Sequence, residues 1–222
     1  MCSGLPNRTV IMEKIDFVLL GDGRSDRCLV PVLIWLLRRR FTGVPINGEW
    51  ADLSRFPLER INTLSGRIRM ASDMYRPDVL FVHRDAEGQA PEFRYDEIRD
   101  AVSGINENLP IHICVVPVRM TEAWLMFNEK AVKVAAGNPN SRIHVDLPSL
   151  STVESLPDPK RALAEALIQA SELRGRHLKR FKRGHHRHLI TENIEDFSPL
   201  LELQAFQRLS RDIEHIAIDV GS

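Results

Sequence analysis

The sequence predicts an α/β fold with a mostly parallel sheet flanked by helices, followed by a helical C-terminal lobe. Two observations carry this reading. Short apolar runs (15–20, 79–83 and 111–118) alternate with segments of helical spacing, and strands separated by helices require crossovers, which favour parallel pairing. After about residue 137 the strand-like runs stop and only helical patterns separated by loops follow.

Each element has its own local reason. Residues 15–20 (IDFVLL) read as a buried strand ended by the turn Gly21-Asp22-Gly23. Ser25 or Asp26 is placed to cap a helix reaching Arg40, with Pro31 delaying or bending its start. A short strand fits 44–50. Apolar positions 58, 61, 64, 68 and 71 predict one helix over 58–75, stopped by Pro77. VLFVH at 79–83 is a second buried strand. A helix with Phe93, Ile98, Ala101, Val102 and Ile105 inward comes next, then a third buried strand at 111–118 and a helix capped by Thr121. Residues 138–157, rich in Pro, Ser and Asn, read as a loop, and Asp158-Pro159 opens a helix to about Leu173 with Leu163, Ala166, Leu167 and Ala170 on one face. The basic stretch that follows predicts a loop and a helix into Ile194, and Ser198-Pro199 opens a last helix through Ile213. The expected organisation is an α/β core (1–137) with a helical extension (138–222) packed on it as one structural unit.

Composition excludes several classes. The 222 residues carry 30 Lys+Arg and 30 Asp+Glu, so a chain that is basic all over is ruled out, and 43% hydrophobic content is too high for wholesale disorder. No apolar run approaches the roughly 20 residues of a membrane span. Residues 1–8 lack the features of a secretory signal, so the expected compartment is the cytoplasm. Cys2, Cys28 and Cys114 have no paired spacing and read as reduced thiols.

The neutral total conceals an uneven distribution. Between Arg174 and His188 lie seven Lys/Arg, including Lys179, Arg180, Lys182, Arg183 and Arg187, four of the eight histidines and no acid. Such a stretch is either a solvated helix face or an arm that contacts a polyanion. The histidines among those arginines are a poor metal site, because the surrounding charge repels a divalent ion.

The acids are placed by topology. In a parallel sheet each strand delivers its following loop to the same edge, where ligands of open α/β folds bind. Asp22 follows the first strand, Asp85 and Glu87 the second clear one, and Glu122 the third, so four carboxylates are expected on one rim. Crowded carboxylates repel, and a divalent cation resolves the conflict; hard oxygen donors favour Mg²⁺ or Mn²⁺ over zinc. Arg24 and Arg84 can meet phosphate charge beside them. Each piece also has a plainer reading: Asp22-Gly23 as a turn, Asp85-x-Glu87 as an exposed acidic loop, Glu122 as a first-turn acid, His83 and Trp124 as core.

Taken in order, three motifs resemble a known family. Residues 19–26 (LLGDGRSD) are similar to the Toprim signature, in which a strand ends in Glu-Gly-x-Thr/Ser-Glu/Asp. Residues 79–88 (VLFVHRDAEG) resemble its second motif, a strand ending in Asp-x-Asp. Residues 116–125 (VPVRMTEAWL) resemble the Glu-Ala-Trp-Leu segment of a small bacterial Toprim-like family related to the overcoming-lysogenisation-defect (OLD) nucleases. The resemblance runs from about Lys14 to Asp212. It implies metal-dependent phosphodiester chemistry on DNA or RNA, with Asp22 near the scissile phosphate, Asp85 and Glu87 on the metal, and Asp26 and Glu122 in support. Two metals could clamp an in-line displacement in such a site. Two departures stand out: Asp22 is one methylene shorter than the family's Glu, and Glu87 one longer than its Asp.

The functional expectation is therefore a Mg²⁺- or Mn²⁺-dependent nuclease. By resemblance it would serve in bacterial anti-phage defence. The chain has no GxxxxGK[ST] loop, so ATP dependence would come from a separate ATPase subunit. The alternatives are a decayed Toprim protein that binds metal or nucleic acid as a regulatory subunit, and, ranked last, a small-molecule phosphohydrolase.

Overall fold

The computed structural model describes residues 13–105, 108–181 and 186–216, which leaves Cys2, Lys182, Arg183 and His185 outside the described residues. Four strands, β1 (Ile15–Leu20), β2 (Ile46–Trp50), β3 (Val79–His83) and β4 (Ile111–Val115), form one all-parallel sheet in the order β2-β1-β3-β4. Phe17 is in register with Val79, and Val79 with Ile111, so the carboxyl ends of β1, β3 and β4 reach one edge together.

Alternation along the strands separates two cores. Ile15, Phe17, Leu19, Val79, Phe81, Ile113 and Val115 face α1 (Leu29–Arg40) and the C-terminal helices, whereas Val18, Leu20, Leu80 and Val82 face α3 (Leu64–Tyr75) and α4 (Pro91–Ser103). Phe17 and Phe81 meet edge-to-face at 5.3 Å in the first core. Truncation of either to Ala would cost about 3–5 kcal/mol, the usual loss for a fully buried ring.

The first core extends into the chain beyond residue 137. Leu163, Ala166, Leu167 and Ala170 of α7 (Pro159–Ser171) and Phe206, Leu209 and Ile213 of α10 (Gln204–Glu214) are buried in the same apolar cluster as the sheet. Trp124 is fully buried, as its apolar surroundings predict, and meets Phe206 edge-to-face at 5.2 Å. Asp158 caps α7 by accepting from the Arg161 N–H at 2.9 Å, with Pro159 in the first turn.

Several local readings are corrected. A 3-10 turn (Arg24–Cys28) precedes α1, which begins late enough that Pro31 falls in its first turn, where no N–H is required. The single helix expected over 58–75 is broken into α2 (Leu58–Ile61) and α3, because the Thr63 hydroxyl accepts from the Gly66 N–H at 3.0 Å and caps a new start. Phe93 points outward at 58% exposure; the inward face of α4 runs Tyr95, Ile98 and Ala101 instead. Strand β4 stops at Val115, since Pro117 has no N–H for a ladder. Thr121 does not cap a helix: it begins a 3-10 turn (Thr121–Leu125), and the next helix, α5 (Glu129–Ala135), is capped by Asn128. The 138–157 segment contains a single helical turn, α6 (Leu150–Val153), and the last predicted helix divides into a 3-10 turn (Ser198–Glu202) and α10. The basic stretch provides two helices, α8 (Gly175–Arg180) and α9 (His186–Glu192).

Candidate functional site

Three side chains gather around one imidazole at the edge of the sheet. His83, the last residue of β3, is 2% exposed, and its Nδ1 lies 3.0 Å from the Val115 carbonyl. A carbonyl only accepts, so Nδ1 carries the hydrogen, and Nε2 faces the acids. Nε2 lies 3.3 Å from the Thr121 hydroxyl, 3.5 Å from Asp85 Oδ1 and 4.0 Å from Asp26 Oδ2. Asp85 Oδ1 accepts the Thr121 N–H at 2.9 Å and its hydroxyl at 3.3 Å. This ties the end of β3 to the turn after β4.

Asp26 reaches the cluster because Gly21 makes room. Its Oδ2 accepts from the Gly23 N–H at 2.9 Å, and a Cβ on Gly21 would stand 2.6 Å from that oxygen. No larger residue fits there without displacing the carboxylate. Burial pushes the Asp85 carboxyl up from its ordinary 3.8 to about 6, with Glu122 and Asp26 adding repulsion against the opposing influence of His83 and the Thr121 N–H. Burial and the Asp26 charge also push the Cys28 thiol up, so it is an inert core thiol. Cys28 and Cys114 form no disulfide with each other.

The other acids expected on the rim are engaged elsewhere. Asp22, 43% exposed, accepts through Oδ1 from Arg67 Nη1 at 3.1 Å and from Arg84 Nη1. Arg84 Nη2 meets Glu97 at 3.0 Å, Glu97 meets Arg94 at 2.8 Å, and Arg94 meets Glu87 at 3.2 Å. An alternating chain of three arginines and three carboxylates thus crosses the rim from Arg67 to Glu87. It touches the buried cluster where Arg94 Nε donates to the Asp85 carbonyl at 3.0 Å. Glu87 and Gly88 turn away from β3 in left-handed conformations, φ 53° and 85°, which carries the Glu87 carboxylate outward.

Glu122 is buried in another direction. Its carboxylate meets Arg187 of α9 at 2.5 Å, and the pair lines a cavity of about 590 Å³ along α7 with Leu163, Leu167, Lys160 and Arg161. Arg187 therefore neutralises a buried acid and does not stand among the exposed cations. Arg174, Arg176, Lys179 and Arg180 are exposed on and before α8, and Arg24 is exposed on its 3-10 turn.

Asp26, His83, Asp85 and Thr121 are thus brought together, while Asp22 and Glu87 belong to the arginine–carboxylate chain and Glu122 pairs with Arg187. The sequence reading passes over Arg67 and Arg94 and takes Thr121 only as a cap, whereas His83 is the buried, hydrogen-bonded residue expected and in addition faces the acids. Arg67 directly precedes the buried Ile68 of α3, so a cation beside an apolar stripe was the available signal. Arg94 is spaced i,i+3 from Glu97, a pairing distance on any helix.

Among the described residues no three of His, Cys, Asp and Glu are disposed as a ready-made metal site. The donor set fits a cation held by one or two carboxylates and completed by water and phosphate oxygens, the ordinary manner of Mg²⁺. Asp85 suits that role, because its Oδ1 is fixed by Thr121 while Oδ2 bonds to no described residue. No helix among the described residues is long and apolar enough to cross a membrane. Compared with protein-family models, with curated proteins and with solved structures, the chain matches none.

Proposed function

We propose that this chain is a Mg²⁺- or Mn²⁺-dependent phosphodiester hydrolase of Toprim type that acts on DNA or RNA at the carboxyl edge of its sheet. The observation that carries the reading is Asp85: a carboxylate fixed through one oxygen, crowded by Asp26 and Glu122, at the strand end where α/β folds bind ligands. A divalent cation bound there would supply charge neutralisation for the phosphoryl group and lower the pKa of a bound water.

The chain's own residues have separable tasks. Asp85 and Asp26 hold the negative charge that draws a cation to the edge. His83, fixed by the Val115 carbonyl, presents Nε2 to both acids. Thr121 orients Asp85. Exposed Arg174, Arg176, Lys179 and Arg180 attract the nucleic-acid backbone. By the same resemblance the cleavage serves anti-phage defence, with ATP hydrolysis left to a separate subunit.

Incubation of the purified chain and Asp85→Asn with plasmid and with tRNA, in Mn²⁺ or in EDTA, tests the reading. Cleavage by the native chain in Mn²⁺ alone, lost in Asp85→Asn, is expected. Equal cleavage by both proteins removes the site assignment.

One arrangement favours a second reading. Asp22 is held by two arginines and Glu87 by Arg94, so the two acids that depart from the family pattern are both neutralised by the protein itself. A regulatory subunit that binds metal or nucleic acid without cutting has that property. Metal binding by calorimetry together with no cleavage under any condition selects it.

A further inference from the structure

The Arg67–Asp22–Arg84 arrangement has the form of an occupied anion site. Two guanidiniums from different elements, one on α3 and one directly after β3, converge on a single carboxylate oxygen. Arg67 is further anchored by donating to the Gly21 carbonyl, and Arg84 by its 3.0 Å contact with Glu97. Both are largely covered, at 22% and 21% side-chain exposure, whereas Asp22 is 43% exposed. The cations are therefore the built part of the site and the carboxylate its accessible occupant. Guanidinium forks bind phosphate as they bind carboxylate, with stronger attraction for the larger charge.

We propose that Arg67 and Arg84 form a phosphate-binding site that Asp22 occupies in the free protein, and that a phosphate group of the nucleic-acid ligand displaces Asp22 from it. Asp22 is then an internal competitor until ligand arrives, and its release adds a carboxylate to the edge only when phosphate is present. The phosphate rests on the reading of this edge as a phosphodiester site. The test, however, requires neither metal nor cleavage, so the two can fail separately.

The consequence is unusual for an acid in a nucleic-acid site: removing Asp22 should strengthen binding. An incoming phosphate must displace a partly exposed ion pair of modest strength, so Asp22→Ala should tighten binding about twofold to fivefold. A general change of surface charge would also tighten it, but that gain would survive loss of Arg67. Displacement predicts that the gain disappears in Asp22→Ala/Arg67→Gln.

The experiment is fluorescence anisotropy of a labelled single-stranded oligonucleotide with the full chain in EDTA at low salt, for native, Asp22→Ala, Arg67→Gln and the double variant. Titration with inorganic phosphate by calorimetry runs in parallel. A gain in Asp22→Ala that the second substitution abolishes is expected. If it is seen with the oligonucleotide the ligand is a backbone phosphate; if only with inorganic phosphate, a free phosphate. No gain with either probe, or a gain of equal size in the Arg67→Gln background, overturns the proposal. Should Arg67→Gln melt early because Gly21 loses its donor, Asp22→Ala/Arg84→Gln makes the same comparison.

Discussion

Thr121 gives its backbone N–H and its hydroxyl to the same oxygen of Asp85, at 2.9 and 3.3 Å. A residue that follows β4 thereby fixes an acid that follows β3, and the acid is held largely out of water beside His83. That geometry sets a carboxylate under electrostatic tension at the sheet edge, with two consequences for stability.

The first is a pH dependence of unusual sign. Asp85 has a folded pKa of about 6 against an ordinary 3.8, so between those values the folded chain binds more protons than the unfolded one. Its contribution to stability is therefore lost as pH rises through 6, and the penalty is fully present at about pH 8. Asp85→Asn removes it. The variant should be more stable than the native chain by about 2 kcal/mol at about pH 8, with the difference vanishing near pH 4. Urea unfolding of both proteins across that range in EDTA checks it, and a difference independent of pH would place the effect outside Asp85.

The second concerns metal. If a cation relieves the same tension, Mg²⁺ or Mn²⁺ should raise the melting temperature of the native chain at neutral pH by mass action. Chelation by EDTA should reverse the rise, and Asp85→Asn should show none. Identical metal-induced shifts in both proteins would move the cation elsewhere.

Arg187 was expected to contact nucleic acid, but it meets the buried Glu122 at 2.5 Å. Removing one partner of such a pair leaves an uncompensated buried charge, so Arg187→Ala should lose about 3 kcal/mol of stability. Adding Glu122→Gln should restore part of it. Chemical denaturation of the single and double variants measures the coupling; a neutral Arg187→Ala would return Arg187 to the exposed arm.

What could be read in advance followed from local chemistry. IDFVLL and VLFVH are uninterrupted apolar runs bounded by turn residues, and Asp158-Pro159 is a complete helix start, so these elements lie where expected. Phe93 and Thr121 were misread because their roles depend on distant partners: Tyr95 packs inward where Phe93 was expected, and Asp85 claims the Thr121 N–H. The same limit governs the site. Topology alone delivers Asp22, Asp85, Glu87 and Glu122 to one edge, but which of them face each other is decided by Arg67, Arg84, Arg94 and Arg187. Arg67, Arg84 and Arg187 are far in sequence from Asp22 and Glu122, and Glu87 sits on a left-handed backbone that no spacing rule reports.

The exposed cations of α8 make a separable prediction. Lys179 and Arg180 are exposed and have no acid in their own stretch. Replacing both with Gln should leave the unfolding midpoint unchanged while reducing the slope of log affinity against log salt by about 1.5 to 2, near one released counterion per contact. An unaltered slope would make α8 a merely solvated helix.

Glu87 offers a test of what its own position is for. Its φ of 53° costs a non-glycine residue about 1 kcal/mol, and its exposed pairing with Arg94 returns only a few tenths. If the carboxylate had no task beyond that pair, glycine would serve better there, so Glu87→Gly should be neutral to slightly stabilising in urea. Cleavage should respond differently if the residue takes part once ligand binds: a stable Glu87→Gly protein with reduced turnover would mean that the strained conformation is retained for function. Unchanged turnover would leave Asp85, with Asp26 and His83, as the working centre of the edge and Glu87 as its outer ion pair.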